Sequence, residues 1–212
     1  MSTREWAETA VRALRPWVMT ALVAPALWLW GAALADRLGA NPAEALIRGL
    51  GDWALGLLCA TLAVTPLREA TGWRTWAAWR RPLGLWTFTY AAMHLLAYAW
   101  LDQGGRLAAV VDDVAQRPFI AVGMATFGLL VPLAATSHGA AVRWLGALRW
   151  RALHRAVYVV AALVCLHFWW MRAGKRDYAD VVLAASVLAL LLGWRGVRWW
   201  WTRRRRVPSS PR

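Results

Sequence analysis

LHRAVYVVAALVCLHFWW, residues 153 to 170, is the stretch whose reading decides the fold. Eleven of the twelve residues between His154 and His167 are apolar, and only Arg155 is not. A helix that crosses a bilayer needs about 20 mostly apolar residues, and this run reaches that length with an imidazole near each end. Outward from it, five more blocks of the same kind mark spans at roughly 17–35, 50–67, 82–101, 118–135 and 178–200, beside 153–171 itself. The chain has 212 residues, is 60% hydrophobic and carries 18 tryptophans. Its connections are too short for a separate soluble domain of ordinary size. Helices satisfy their own backbone groups in lipid, so the expected fold is all-α. It is a polytopic membrane protein, a six-transmembrane-helix bundle forming a single domain over 1–212.

The net charge of +14 raises the question of nucleic acid, and its distribution answers it. Arg4, Arg12 and Arg15 precede the first span, and Arg68, Arg74, Arg80 and Arg81 fill the second connection. Arg143, Arg149, Arg151 and Arg155 surround the fourth, and Arg195, Arg198, Arg203 to Arg206 and Arg212 close the chain. Those eighteen fall on one side; the opposite side holds Arg37, Arg48, Arg106, Arg117, Arg172, Lys175 and Arg176. Positive charge favours the cytoplasm, so both termini are expected on the cytoplasmic side, with 203–212 as a basic cytoplasmic tail against anionic membrane lipids. No nucleic-acid partner is expected. Tryptophans gather at span ends, as at Trp73, Trp76 and Trp79, in the manner of an interfacial belt. Cys59 and Cys165 lie mid-span without metal-type or disulfide spacing and read as packing residues.

Of the four histidines, His138 falls in a connection and reads as a solvated loop residue. His94, His154 and His167 fall inside spans, where a polar side chain needs a partner or a function. Thirteen residues of helix rise about 20 Å. His154 and His167 therefore sit near opposite faces of a core about 30 Å thick, and one ion site cannot use both. Two stacked cofactors can. Burial favours the neutral imidazole that binds iron, and helix bundles hold haem between facing helices. The third and fifth spans run the same way. His167, late in its span, matches the depth of His94. His154, early in its span, matches the depth of Arg80, where no histidine stands. One complete bis-histidine site and one half-site are expected, with one or two haems of b type between spans 3 and 5. Three readings of Arg80 stay open: a positive-inside charge, a partner for a haem propionate, or an axial ligand. A 13-residue step also misses whole helical turns by roughly 140°, at about 100° per residue. Either the two haems meet the fifth helix at different azimuths or that helix is distorted.

The segments RPLGLWTFTYAAMHLLAYAWLDQ, RPFIAVGMATFGLLVPLAATS and LGALRWRALHRAVYVVAALVCLHFWW resemble the MsrQ (YedZ) family of haem-binding membrane subunits. More distantly, they are similar to the ferric-reductase-like transmembrane domain of the NADPH oxidases, which carries two histidines on each of two helices. Arg80 stands where the fourth would be. The resemblance implies transmembrane electron transfer through haem b bound by His94, His154 and His167. The implied donor is the quinone pool or a cytosolic flavin reductase. The implied acceptor is a periplasmic molybdopterin-dependent methionine-sulfoxide reductase, which repairs oxidised proteins and would pair with this chain as a heterodimer. FMN is implied by the resemblance alone, as no flavin motif is present. Asp102, Asp112 and Asp113, with Gln103 and Gln116, form either a docking surface for the partner or a solvated loop. Rival readings are a ferric-chelate reductase or quinone-linked cytochrome b subunit and, in another class, a small transporter with a histidine-lined path.

Overall fold

A computed structural model of the protein describes residues 3–173 and 178–204. Most of the predicted basic tail, 205–212, lies outside these residues, as do Lys175 and Arg176. Among the described residues all regular structure is helical. Ten α-helices follow in order: α1 (Thr3–Ala21), α2 (Ala24–Leu34), α3 (Pro42–Thr71), α4 (Arg80–Ala97), α5 (Leu107–Gln116), α6 (Pro118–Ala135), α7 (Gly139–Leu145), α8 (Ala147–His154), α9 (Ala156–Ala173) and α10 (Ala179–Arg204). A 3-10 turn at Arg74–Trp79 leads into α4, and a π-helical turn at Tyr98–Asp102 extends it.

Local chemistry sets the ends. Asn41 caps α3 by accepting from Glu44 N at 3.1 Å, with Pro42 in the first turn. Such a proline gives up no hydrogen bond. Gly72 ends α3 at φ +70°, a left-handed cap that glycine adopts without strain. Pro118 opens α6 in the same way as Pro42 opens α3.

Five helical stretches are long and apolar enough to cross a membrane: Glu5–Leu34, Pro42–Thr71, Pro118–Ala135, Ala147–Ala173 and Ala179–Arg198. The expectation of six loses its third member at this standard. That block falls on α4, whose sequence mixes Arg80, Arg81, Thr87, Thr89, Tyr90 and His94 with its apolar residues. The reason is position: α4 lies between α3 and α6, where polar side chains find partners. The lipid-like character is instead on the outside of the bundle, where Leu27, Trp28, Trp100, Leu183 and Leu190 are exposed. A soluble surface avoids apolar area of that extent.

Two apolar clusters organise the interior. One joins α2, α3 and α4 through Leu29, Leu46, Leu50 and Tyr90; the other joins α3, α6, α9 and α10 through Leu58, Leu62, Leu130, Val160 and Leu188. Tyr90, fully buried, also repairs the first span. Helix α1 stops before Pro25, and the Ala26 N–H donates to Tyr90 Oη at 3.1 Å instead of to Leu22 O. The Tyr90 hydroxyl then donates to Leu22 O at 2.7 Å. One phenol thus bridges a missing i to i−4 bond from another helix, the kind of compensation a kink requires in lipid.

Candidate functional site

Two cavities lie within the bundle. The first, about 680 Å³, opens between α3, α4, α6 and α9. His94 on α4 and His167 on α9 face each other across it, ring centres 6.3 Å apart and planes perpendicular. His94 Nδ1 lies 2.7 Å from Ile47 O, and His167 Nδ1 lies 2.7 Å from Phe119 O. A carbonyl oxygen only accepts, so each Nδ1 carries the proton and donates it. Each Nε2 is left with a free lone pair. Metal-binding histidines are held the same way, with the far ring nitrogen donating to a backbone carbonyl. Two imidazoles on opposite sides of one metal, with bonds of about 2 Å, have ring centres on the order of 6 Å apart. Among the described residues no three His, Cys, Asp or Glu side chains group as a metal site. The donor set therefore suits a metal whose other ligands come with it, as the four nitrogens of a porphyrin do. Apolar walls from Leu55, Ala91, Leu95, Phe127 and Val164 fit a flat apolar ring; Arg48, paired with Glu44, and Arg117, paired with Asp113, stand in the lining beside Asp52 and Asp102. The residues present fit haem.

The second cavity, about 850 Å³, is lined by Arg68, Arg80, Arg81, Arg151, Arg155, Arg195 and Arg198, with Glu69 and His154. Leu58, Thr87 and Leu130 line both cavities and form the wall between them. Arg80 donates to Thr65 Oγ1 at 2.8 Å, and Arg195 donates to Leu62 O at 2.7 Å. His154 ends α8, stacks on Trp150 with ring centres 4.0 Å apart, and has Nε2 3.0 Å from Thr136 Oγ1. The Thr136 hydroxyl spends its one proton on Pro132 O at 2.6 Å. It can only accept from His154, so Nε2 carries the proton there. The fifth predicted span is interrupted at Arg155, between α8 and α9. The interruption is one residue long, within a helical stretch that otherwise runs from Ala147 to Ala173.

Residues 50–165 match the family described as ferric reductase like transmembrane component. A relative from Polaromonas naphthalenivorans (strain CJ2) is 50% identical over 198 residues, spanning 93% of this chain and 90% of its own. One from Ralstonia nicotianae is 49% identical over 195 residues, spanning 89% and 90%. One from Xanthomonas campestris pv. campestris (strain B100) is 44% identical over 193 residues, spanning 89% and 85%. All three are named protein-methionine-sulfoxide reductase heme-binding subunit MsrQ. The chain belongs to the MsrQ family. With its apolar helices, that makes it a multi-pass membrane protein. No solved structure matches it.

Several features of this MsrQ-family site escaped the sequence. The Ile47 and Phe119 carbonyls are backbone atoms and carry no sequence signal. Thr136 and Thr65 belong to no motif that would single them out in the sequence. Arg195, counted above only as a cytoplasmic charge, reaches back to α3. His138, read as a loop residue, accepts from Ala141 N at 3.1 Å and caps α7. The acidic connection holds a helix, α5, and its carboxylates differ. Asp113 is buried, accepting from Tyr98 Oη at 2.6 Å and Gln103 Nε2 at 3.2 Å, and pairing with Arg117 at 2.8 Å. Asp102 and Asp112 remain exposed. Cys59 and Cys165 are free thiols packed against the second apolar cluster.

Proposed function

We propose that this protein carries electrons across the bacterial inner membrane through haem b, as the membrane subunit of a methionine-sulfoxide reductase system. The observation that carries the proposal is the facing pair of His94 and His167, each with Nδ1 spent on a carbonyl and Nε2 left for iron. When bound, haem would supply one-electron exchange at its iron, at a potential that the imidazoles of His94 and His167 and the dry surroundings would tune. The chain's own residues do the rest. His94 and His167 fix the iron of an outer haem between α4 and α9. The apolar walls exclude water, and Arg48 and Arg117, paired with Glu44 and Asp113, would share their guanidiniums with carboxylates at the rim.

His154 and the arginines around it form the inner half-site, with Arg80 as a propionate partner. Guanidinium is always protonated and makes a poor iron ligand. The buried wall of Leu58, Thr87 and Leu130 keeps the two sites adjacent. In this reading α4 is a sixth crossing helix, short in hydropathy because it carries the site, and both termini are cytoplasmic. Electrons enter from quinol or a cytosolic flavin reductase and leave to a periplasmic molybdopterin-dependent partner in a heterodimer.

The visible spectrum of the purified protein tests this directly. The expected result is a b-type haem spectrum in the parent, bleached on mixing the reduced protein with the periplasmic partner and methionine sulfoxide. A colourless preparation from cells well supplied with haem ends the proposal.

A further inference from the structure

His94 and His167 stand on different helices and pack against different neighbours, yet they are seated alike. His94 meets α3 at the Ile47 carbonyl and at Gly51. His167 meets α6 at the Phe119 carbonyl and at Gly123. In both cases the glycine follows the carbonyl residue by four positions, which on a helix places it one turn above on the same face. Carbonyl and missing side chain together make one notch. The carbonyl takes the Nδ1 proton, and the glycine gives the ring its room.

The notch is tight. A Cβ on Gly51 would stand 3.1 Å from His94 Nδ1 and 3.3 Å from its Cε1. A Cβ on Gly123 would stand 2.9 Å from His167 Cε1 and 3.0 Å from its Nδ1. Neither ring can yield freely, because each is held by its hydrogen bond. The next glycines along the same helices, Gly56 and Gly128, have nothing within 4 Å of such a Cβ. Gly49, also on α3, would meet Leu29 Cδ2 at 2.7 Å, so a close approach by itself is not peculiar to the histidines. What Gly51 and Gly123 share is a close imidazole whose Nδ1 bonds the carbonyl four residues earlier.

We propose that Gly51 and Gly123 are positioning residues for the axial ligands, holding each imidazole at the azimuth that aims Nε2 along a shared axis while Nδ1 stays bonded to its carbonyl. The inference rests on the haem reading of this cavity. A Cβ in either notch pushes the ring off its carbonyl and off the iron, and it does so more strongly at Gly123.

The test compares full-length Gly51→Ala and Gly123→Ala with Gly56→Ala and Gly128→Ala as controls, and with His94→Ala and His167→Ala. Haem per protein, the spin state of the ferric haem and its midpoint potential are measured. Gly123→Ala is expected to convert the low-spin signal to high-spin, with low spin restored by imidazole added to the buffer. That rescue separates a misplaced ligand from a collapsed cavity. Gly51→Ala is expected to shift the same way by less. The potential of both moves positive as the bond that raises imidazole basicity is lost, and both controls match the parent. If both glycine variants match the controls while the histidine variants lose haem, the notch proposal is wrong and the haem reading survives. If the histidine variants keep full haem, both fall. Should Gly123→Ala not fold, the milder Gly51→Ala decides, and an unchanged spin state and potential there overturn the proposal.

Discussion

The two cavities hold the same kind of side chain in opposite states. Around His94 and His167 the neighbours are backbone carbonyls, which cannot donate, so both rings keep Nε2 bare. Around His154 the neighbour is a threonine hydroxyl already committed to Pro132 O, so Nε2 holds the proton and points at protein. The first cavity presents two imidazole nitrogens free of protein partners, as the proposed haem requires. The second needs His154 to turn from Thr136, and its surroundings are guanidiniums instead of a second imidazole. Intramembrane histidines are thus not equivalent because they are buried. What separates them is which nitrogen the neighbouring atom engages.

The difference can be broken most sharply at the paired site. His94→Ala and His167→Ala are each expected to abolish the outer haem and electron transfer to the partner, read as haem per protein and as reoxidation by methionine sulfoxide. Wild-type haem in both variants would remove the distinction between the cavities. Next in size, His154→Ala is expected to remove only an inner haem and leave the outer spectrum intact; loss of both haems would show that the sites are not independent. Thr136→Val sharpens the same point, since it deletes the partner of Nε2 and is expected to change the inner absorption alone.

A smaller effect is expected at Tyr90, which ties α4 to the break between α1 and α2 beside the paired site. Tyr90→Phe leaves Leu22 O and the Ala26 N–H without their bridge. A buried polar group without a partner costs about 1–3 kcal/mol, visible as a lower unfolding midpoint in detergent with the haem spectrum retained. The smallest effect is expected at the exposed carboxylate: Asp112→Lys should change neither haem content nor transfer to the partner. A loss of transfer with full haem would make α5 a docking surface.

Much of this was readable in advance because apolar length and helical rise are one-dimensional quantities. The block at 118–135 coincides with α6. Matching depths along two parallel spans paired His94 with His167, whose rings lie 6.3 Å apart. The 13-residue step between His154 and His167 does not stay on one helical face, and a single non-helical residue, Arg155, stands between α8 and α9. Other features had no linear trace. Tyr90 looks like any aromatic in an apolar run, and its partners stand 64 and 68 positions away. Asp113 and Asp112 are adjacent and chemically identical, and only the packing of α5 turns one inward and the other out.

The amino-acid order by itself determined that the chain is helical and apolar enough for lipid, and how far along its helix each imidazole lies, because both follow from counting residues along an axis. Tertiary structure alone decided which nitrogen of each imidazole is free, because that depends on whether a carbonyl of a neighbouring helix or the hydroxyl of Thr136 stands beside it.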